Sequence, residues 1–200
     1  VSVRIGDGTG HFAPTASYPV LGNVPTDVAV ADYNGDGIKD LATANILTGD
    51  ISVLLGVGDG TFGTAVTYPA VSFTSSIVAV DVNNDGIKDL AASNFGYINV
   101  SVLLGNGDGT FAATTDFDVG TNPISIASAD FDNDNNADLV TANYSSGDVS
   151  VIFGDGTGSF SAALNLPADS LPYAVTTSDF DGDGNADILM ANYGSDSIYV

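Results

Sequence analysis

The chain repeats itself every 49 residues. Asp32-Tyr33-Asn34-Gly35-Asp36-Gly37-Ile38-Lys39-Asp40 returns as Asp81-Val82-Asn83-Asn84-Asp85-Gly86-Ile87-Lys88-Asp89. It returns again as Asp130-Phe131-Asp132-Asn133-Asp134-Asn135-Asn136-Ala137-Asp138 and as Asp179-Phe180-Asp181-Gly182-Asp183-Gly184-Asn185-Ala186-Asp187. A second marker keeps the same phase. Val1-Ser2-Val3, Ile51-Ser52-Val53, Val100-Ser101-Val102 and Val149-Ser150-Val151 each lead into a Gly-rich turn closed by Phe12, Phe62, Phe111 or Phe160. One extra residue separates Val1 from Asp32, and a further copy of the marker starts at Ile198-Tyr199-Val200. The repeats therefore run roughly 1–50, 51–99, 100–148 and 149–197, with the start of a fifth at 198–200, in a single repeat domain of residues 1–200. A fixed period of this length restricts the chain to architectures in which one small unit packs on its own copies.

Each period holds four strand-like segments and no helical periodicity. In the second period they fall at 76–81, 89–93, 98–104 and 111–118. The third and fourth form a hairpin through Gly105-Asn106-Gly107-Asp108-Gly109, a turn rich in residues that accept positive φ. The first segment is apolar and small, as in Val28-Ala29-Val30-Ala31 and Ile124-Ser125-Ile126-Ala127-Ser128-Ala129, which suits a crowded position near an axis. Four short strands per repeat of about 50 residues is the arithmetic of a β-propeller blade. The fold class is therefore all-β: a propeller of four blades of about 49 residues, four strands each. It is closed by terminal half-blades or forms part of a larger propeller.

Residues 1–20 supply the outer two strands of a blade and 173–191 the inner two. Such halves leave unpaired edges. Three arrangements satisfy them: ring closure within one chain, head-to-tail self-assembly between chains, or excision from a longer propeller. Ring closure ranks first narrowly, because four repeats return the chain to its starting strand. The duplicate strand at 198–200 argues the other way. The chain begins at Val1 rather than Met, so it reads as processed, excised or a fragment.

Composition narrows the partners. Formal net charge is −22, from 25 acidic residues, all Asp, against Arg4, Lys39 and Lys88. Nucleic acid and anionic membrane are poor partners for such a chain, since both need clustered cations. The 44% hydrophobic content argues against disorder despite the charge. Cysteine is absent, which excludes disulfides and thiolate metal sites. No apolar run approaches the ~18 residues of a membrane-spanning helix.

The acids concentrate in the repeated loops. Acidic or amide side chains at positions 1, 3 and 5 of a tight loop converge, Gly at position 6 permits the turn, the carbonyl of position 7 points inward and Asp at position 9 closes the shell. An all-oxygen donor set of that size suits Ca²⁺ better than Mg²⁺ or a transition metal. An EF-hand is excluded, because position 12 is Thr43, Ala92, Thr141 or Met190 rather than Glu and no flanking helices are present. Reading the acids only as solvated turn formers leaves several carboxylates crowded together without a cation.

The period, the D-x-[DN]-x-D-[GN]-x-x-D loop and the L-G-N-G-D-G-T-F hairpin resemble FG-GAP/VCBS-type repeats, the blades of calcium-binding propellers such as the integrin α-subunit head. The resemblance covers essentially the whole chain. It implies up to four Ca²⁺ ions. Site one would comprise Asp32, Asn34, Asp36, Asp40 and the Ile38 carbonyl; site two Asp81, Asn83, Asp85, Asp89 and the Ile87 carbonyl. Site three would comprise Asp130, Asp132, Asp134, Asp138 and the Asn136 carbonyl; site four Asp179, Asp181, Asp183, Asp187 and the Asn185 carbonyl. Site three departs from the pattern with Asn135 in place of Gly, and Asn also tolerates positive φ.

Other features read as structural. Asp7, Asp59, Asp108 and Asp155 sit in hairpin turns at a spacing that cannot form a nonapeptide calcium roll. His11, the only histidine, lies in such a turn, so catalysis has little support and the chain is read as a non-enzyme. A paired-Asp glycoside hydrolase or lyase is the least favoured alternative, because the clustered acids already have a metal role. Tyr18, Tyr68, Phe117, Tyr144 and Tyr193 read as core or inter-blade packing, with a sugar-stacking platform as the minority reading. Asn99-Val100-Ser101 and Asn143-Tyr144-Ser145 match the N-glycosylation triplet, a pattern that chance supplies readily. The expected function is an extracellular or cell-surface, calcium-rigidified adhesion, assembly or structural binding module with a protein or glycan ligand. A lectin-like propeller is the alternative. Loops of this kind match the ~10⁻⁴–10⁻³ M affinities of extracellular calcium modules.

Overall fold

The computed structural model describes residues 1–71 and 73–199. Every regular element among them is a β-strand. The chain opens with a short antiparallel pair, β1 (Ser2–Val3) and β2 (Ala16–Ser17). Sheet one follows: β3 (Pro25–Ala31), β4 (Asp40–Asn45), β5 (Asp50–Leu54) and β6 (Val66–Pro69). Sheet two is β7 (Thr74–Val80), β8 (Asp89–Asn94), β9 (Asn99–Leu103) and β10 (Thr115–Asp118). Sheet three is β11 (Pro123–Ala129), β12 (Asp138–Asn143), β13 (Asp148–Ile152) and β14 (Leu164–Pro167). The last sheet is β15 (Pro172–Ser178), β16 (Asp187–Asn192) and β17 (Ser197–Tyr199). Each is an antiparallel meander in chain order, as expected of propeller blades.

The second strand of each blade shows why the repeat folds this way. In β8, Leu90 and Ala92 pack into the core shared with sheet one, and Ala91 packs into the core shared with sheet three. In β12, Leu139 faces sheet two while Val140 and Ala142 face the last sheet. Alternate residues of one strand thus feed opposite interfaces, and β4, β8 and β12 are buried along their whole length. No blade owns a core; each core lies between two blades. T-shaped rings close the outer part of three of these interfaces: Tyr18 on Phe62 at 5.3 Å, Tyr68 on Phe111 at 5.4 Å and Phe117 on Phe160 at 5.0 Å between centroids.

The first strands β3, β7, β11 and β15 stand next to one another, as their small side chains suggested. They are tied sideways by hydrogen bonds about one repeat apart. Thr26 Oγ1 donates to the Ser75 carbonyl (2.8 Å), Ser76 Oγ to Asp27 Oδ2 (2.7 Å) and Thr177 Oγ1 to the Ser128 carbonyl (3.1 Å). Just before each first strand, Val24, Phe73, Asn122 and Leu171 take positive φ. The register then slips by one residue between Pro25 and Asp27, and likewise in each later blade.

Three expectations need correction. The outer strand expected at 111–118 is shorter, Thr115–Asp118, because Phe111 is held by an isolated bridge to Gly105 and sends its ring into the core beside Tyr33. The first strand expected at 76–81 runs Thr74–Val80, because Asp81 has already turned into the loop. Ring closure, ranked first, is not made. Ile198 pairs with Ala191 of β16, so the chain's own β17 takes the place that β1 would have filled. Val1, Val3, Tyr18 and Val20 pack instead on sheet one, against Leu41, Leu54 and Ala65. Val200, the last residue of the duplicated marker, lies outside the described residues, as does Ser72.

Tyr33 is 1% exposed, yet its hydroxyl has no hydrogen-bond partner. Burial, reinforced by the nearby Asp40 charge, pushes its ionisation far above the ordinary tyrosine range. The equivalent positions are Val82, Phe131 and Phe180, none with a hydroxyl. Tyr33→Phe keeps the ring contact and removes an unpaired buried donor, so it should raise unfolding free energy by about 1 kcal/mol in a urea titration. A loss of stability would show that the hydroxyl is satisfied after all.

Candidate metal centres

Each Asp-rich loop joins the first strand of a blade to the second, so all lie at one end of the blades. Left-handed backbone makes the loop possible at two places. Position 6 has positive φ in every loop (Gly37, Gly86, Asn135, Gly184), and so does position 4 (Gly35, Asn84, Asn133, Gly182). Asn135, at φ 67°, takes the conformation expected of it. The requirement at position 4 was missed in the sequence, although only Gly and Asn occur there.

The position-1 carboxylate organises the turn. Asp32 accepts the amides of Gly35 (2.7 Å) and Gly37 (2.8 Å), and the Gly37 bond does most to hold its carboxyl below the usual range. Asp81 accepts from Gly86, Asp130 from Asp134 and Asn135, and Asp179 from Gly182, Asp183 and Gly184. At position 5, Asp36, Asp85, Asp134 and Asp183 each accept the amide of position 7, that of Ile38, Ile87, Asn136 or Asn185. The Asn185 amide is the main cause that keeps the Asp183 carboxyl low.

Position 9 is different. Asp40, Asp89 and Asp138 are fully buried. One oxygen of each accepts the position-2 amide: Tyr33 at 2.8 Å, Val82 at 2.9 Å, Phe131 at 2.8 Å. The other accepts the amide of a hairpin glycine sixteen residues on: Gly56 at 2.7 Å, Gly105 at 2.7 Å, Gly154 at 2.8 Å. Asp187 keeps the first bond, to Phe180 at 2.9 Å. Desolvation pushes Asp89 and Asp138 up despite these bonds. The hairpin glycine has to be glycine because its backbone lies on the loop: a Cβ on Gly105 would stand 2.6 Å from the Lys88 carbonyl oxygen. This clamp was not foreseen, and its only trace in the sequence is the fixed Asp-x₁₅-Gly spacing.

The donor groups gather in part. Carboxylate oxygens of Asp130, Asp132 and Asp138 lie within 4.8 Å of one another, as do those of Asp179, Asp181 and Asp187. Positions 1, 3 and 9 therefore meet as expected in loops three and four. The position-5 acids belong to neither trio; Asp134 Oδ2 and Asp183 Oδ2 accept the side-chain amides of Asn136 and Asn185. In loops one and two, Asn34 and Asn83 replace the middle acid and donate to Asp36 and Asp85. Asp81 Oδ1 is buried with no hydrogen-bond partner, a lone pair poised for a cation. These all-oxygen clusters can hold a metal ion.

The remaining acids and the histidine behave as turn chemistry. Asp7, Asp59, Asp108 and Asp155 each accept the amide and hydroxyl of the threonine two residues on, and the hydroxyl bond does most to lower their carboxyls. His11 is exposed in the first such turn, its Nδ1 2.9 Å from Thr9 Oγ1. Asn143 of the second glycosylation triplet is fully buried and donates to Asp148 and Ser150, so it is not a glycan acceptor. Its counterparts Asn45 and Asn94 pin the preceding blades in the same way, to Ser52 and to Ser101.

The family model of the FG-GAP-like repeat matches residues 34–92, 81–141 and 130–190, well over half of the chain, which therefore belongs to this repeat family. No curated protein matches the sequence. Among solved structures, the chain is similar to BBS1N in complex with ARL6DN, with TM-score 0.61 and 14% identity over 91% of this chain and 57% of that one. It is also similar to an Agrocybe aegerita lectin that recognises non-reducing terminal N-acetylglucosamine, with TM-score 0.57 and 23% identity over 98% of this chain and 52% of that one. A Bacteroides caccae protein of unknown function matches with TM-score 0.54 and 13% identity, over 98% of this chain and 66% of that one. These likenesses support the propeller-like fold, and the chain spans little more than half the length of the first two.

The clamp at position 9 predicts that loop acids differ in kind. With chelator present, Asp138→Ala should cost about 2–5 kcal/mol, since it strands two buried amides, whereas Asp134→Ala should cost under ~1 kcal/mol. Thermal melts of both variants check this; equal losses would mean that position 9 is no structural clamp.

Proposed function

We propose that this chain is an extracellular or cell-surface calcium-binding β-propeller module that acts in adhesion, surface assembly or structural binding rather than catalysis. The observation that carries the reading is the convergence of three carboxylates on one point in loops three and four, in a chain with almost no cations to neutralise them. Asp130, Asp132 and Asp138 would hold one ion and Asp179, Asp181 and Asp187 another. Loops one and two would use the same positions with Asn34 and Asn83. Calcium supplies charge neutralisation here: four divalent ions add eight positive charges and bring the net from −22 to −14. Cytosolic calcium would leave sites of ~10⁻⁴–10⁻³ M affinity empty, which supports an extracellular setting.

Two loops should bind more tightly than the others. Loops three and four offer four carboxylates each, loops one and two three each. Ligand charge tunes affinity. Asp132→Asn gives loop three the acid count of loop two and should weaken its calcium affinity in calorimetry; unchanged affinity would sink the ranking.

Chelation tests the whole reading. An ion that binds only the folded state stabilises it by mass action, by about 2.7 kcal/mol per site at a hundredfold excess over Kd. Adding excess chelator should lower the Tm by many degrees, and re-adding calcium should restore it. A melt indifferent to chelator would overturn the proposal.

A glycan is the ligand that one further observation favours. Phe95, Tyr144, Tyr173 and Tyr193 form a row with ring centroids 6.1–6.3 Å apart, at the end of the blades opposite the loops. Tyr173 is 53% and Tyr193 70% exposed. The row borders a cavity of about 320 Å³ lined by Thr26, Ser75, Ser125 and Tyr173, and exposed rings beside hydroxyls suit sugar faces. The lectin of similar fold shows the architecture alone. Loss of glycan-array binding in Tyr173→Ala and Tyr193→Ala would support this reading; an array blank for the parent chain would remove it. A protein ligand, or a second copy meeting the incomplete β1–β2 and β15–β17 sheets head to tail, is the other partner consistent with this module.

A further inference from the structure

We propose that loops two, three and four take up cations cooperatively through an asparagine relay, while loop one loads alone. The inference rests on the reading of the loops as calcium sites and adds how they communicate.

The relay passes from each loop to the next. Asn84 Nδ2, at position 4 of loop two, donates to Asn136 Oδ1, at position 7 of loop three, at 2.7 Å. Asn136 Nδ2 donates in turn to Asp134 Oδ2 at 2.7 Å. One repeat on, Asn133 Nδ2 donates to Asn185 Oδ1 at 2.8 Å, and Asn185 Nδ2 to Asp183 Oδ2 at 2.8 Å. Each position-5 carboxylate of loops three and four is thus held by an amide that the preceding loop anchors.

Loops one and two hold that carboxylate from within. Position 3 is an asparagine there, and Asn34 and Asn83 donate to Asp36 and Asp85. Position 3 of loops three and four is Asp132 or Asp181, which cannot donate when ionised, and the donor moves to position 7. The hairpins follow the same division. Gly58 and Gly107 rest on Ile38 and Ile87, whereas a Cβ on Gly156 would run into both amides of the Asn84–Asn136 pair. That hairpin backbone lies against the pair. Between loops one and two no asparagine side chains bridge: Gly35 has no side chain, the Ile87 side chain cannot accept, and a cleft of about 640 Å³ opens there, lined by Gly35, Lys39, Ile87 and Lys88.

Coupling follows from order. A cation that fixes loop two fixes Asn84, hence Asn136 and Asp134, so loop three has less freedom left to lose when it loads. Charge gives the opposite sign, since each bound cation weakens the field that attracts the next. Positive coupling between loops two and three in excess of that between loops one and two is therefore diagnostic of the relay, since both pairs share the backbone crossover. A hydrogen bond of ordinary net strength corresponds to about a fivefold effect on affinity, felt equally in both directions.

Loops one and two carry the same side chains at positions 1, 3, 5 and 9, so variants at positions 4 and 7 separate the relay from their remaining difference at position 2. A CaCl₂ titration followed by NMR at the amides of Gly37, Gly86, Asn135 and Gly184 reads the four loops separately. Each of these amides is bonded to its own position-1 carboxylate. The expected result is steep, coupled uptake by loops two, three and four, with loops three and four tightest and loop one about fivefold weaker than loop two. Asn84→Gly keeps the positive φ, as glycine does at this position in loops one and four, and should return loop two to the midpoint of loop one. Gly35→Asn with Ile87→Asn should draw loop one into the coupled uptake; a Cβ on Gly35 has room. If loops one and two titrate together in the parent chain, or Asn84→Gly leaves loop two unmoved, the relay is overturned while calcium binding stands. No uptake in any loop overturns both.

Discussion

The buried position-9 aspartate is the contact on which the blade depends. Asp40, Asp89 and Asp138 each tie three pieces of chain together: the start of the second strand, the first turn of the loop and the hairpin between the third and fourth strands. Two amides per carboxylate satisfy groups that would otherwise be buried and unpaired. The cost is a charge with no cationic side chain beside it, since Lys39 and Lys88 sit one residue away and are exposed. A buried anion of this kind is tolerable when amides and a cation share it. The structural clamp and the candidate metal centre therefore make use of the same residue.

Blade packing follows from a second constraint. Because alternate residues of β8 and β12 enter different cores, a blade without neighbours on both sides would expose half of its apolar face. The unit of stability is the interface. That makes neighbouring loops geometrically dependent on each other even before side chains join them. The backbone already crosses over: the Gly109 amide donates to the Tyr33 carbonyl and the Gly158 amide to the Val82 carbonyl, each hairpin reaching the loop of the preceding blade.

Much of this was legible in the sequence because a repeat states the same rule four times. The fold class, the strand count per blade and the small residues of the first strand came from period and composition alone. Of the expected donor set, positions 1, 3 and 9 meet in loops three and four, and position 5 does not join them. What escaped was contact between repeats. Position 4 was given no role, yet Asn84 and Asn133 take left-handed backbone and also reach the next loop. The Asp-to-Gly clamp spans sixteen residues and leaves no local pattern. The role of Asn45, Asn94 and Asn143 was invisible because a buried amide and a turn amide look alike in one dimension. Closure failed as an expectation for a simple reason: two strands competed for one edge, and the one already joined to β16 by a short turn had the lower loop-closure cost.

The two ends of the blades have divided their chemistry. At one end the loops collect carboxylates, glycines and asparagines, with the backbone bent left-handed wherever the turn requires it. At the other end Val24, Phe73, Asn122 and Leu171 also take positive φ; three of the four are apolar, and Val24 and Phe73 are exposed. Left-handed backbone on a large or β-branched residue costs of order 1–3 kcal/mol and persists only where the surroundings impose it. Here they do: the Val24, Phe73 and Leu171 carbonyls accept the amides of Ile46, Phe95 and Tyr193, fixing the residue that follows each second strand. With the Asn122 carbonyl on the Tyr144 amide, these bonds hold the backbone of Phe95, Tyr144 and Tyr193 in the row of rings. Hydrogen bonds tie the blade at both ends, to buried carboxylates at one and to left-handed carbonyls at the other.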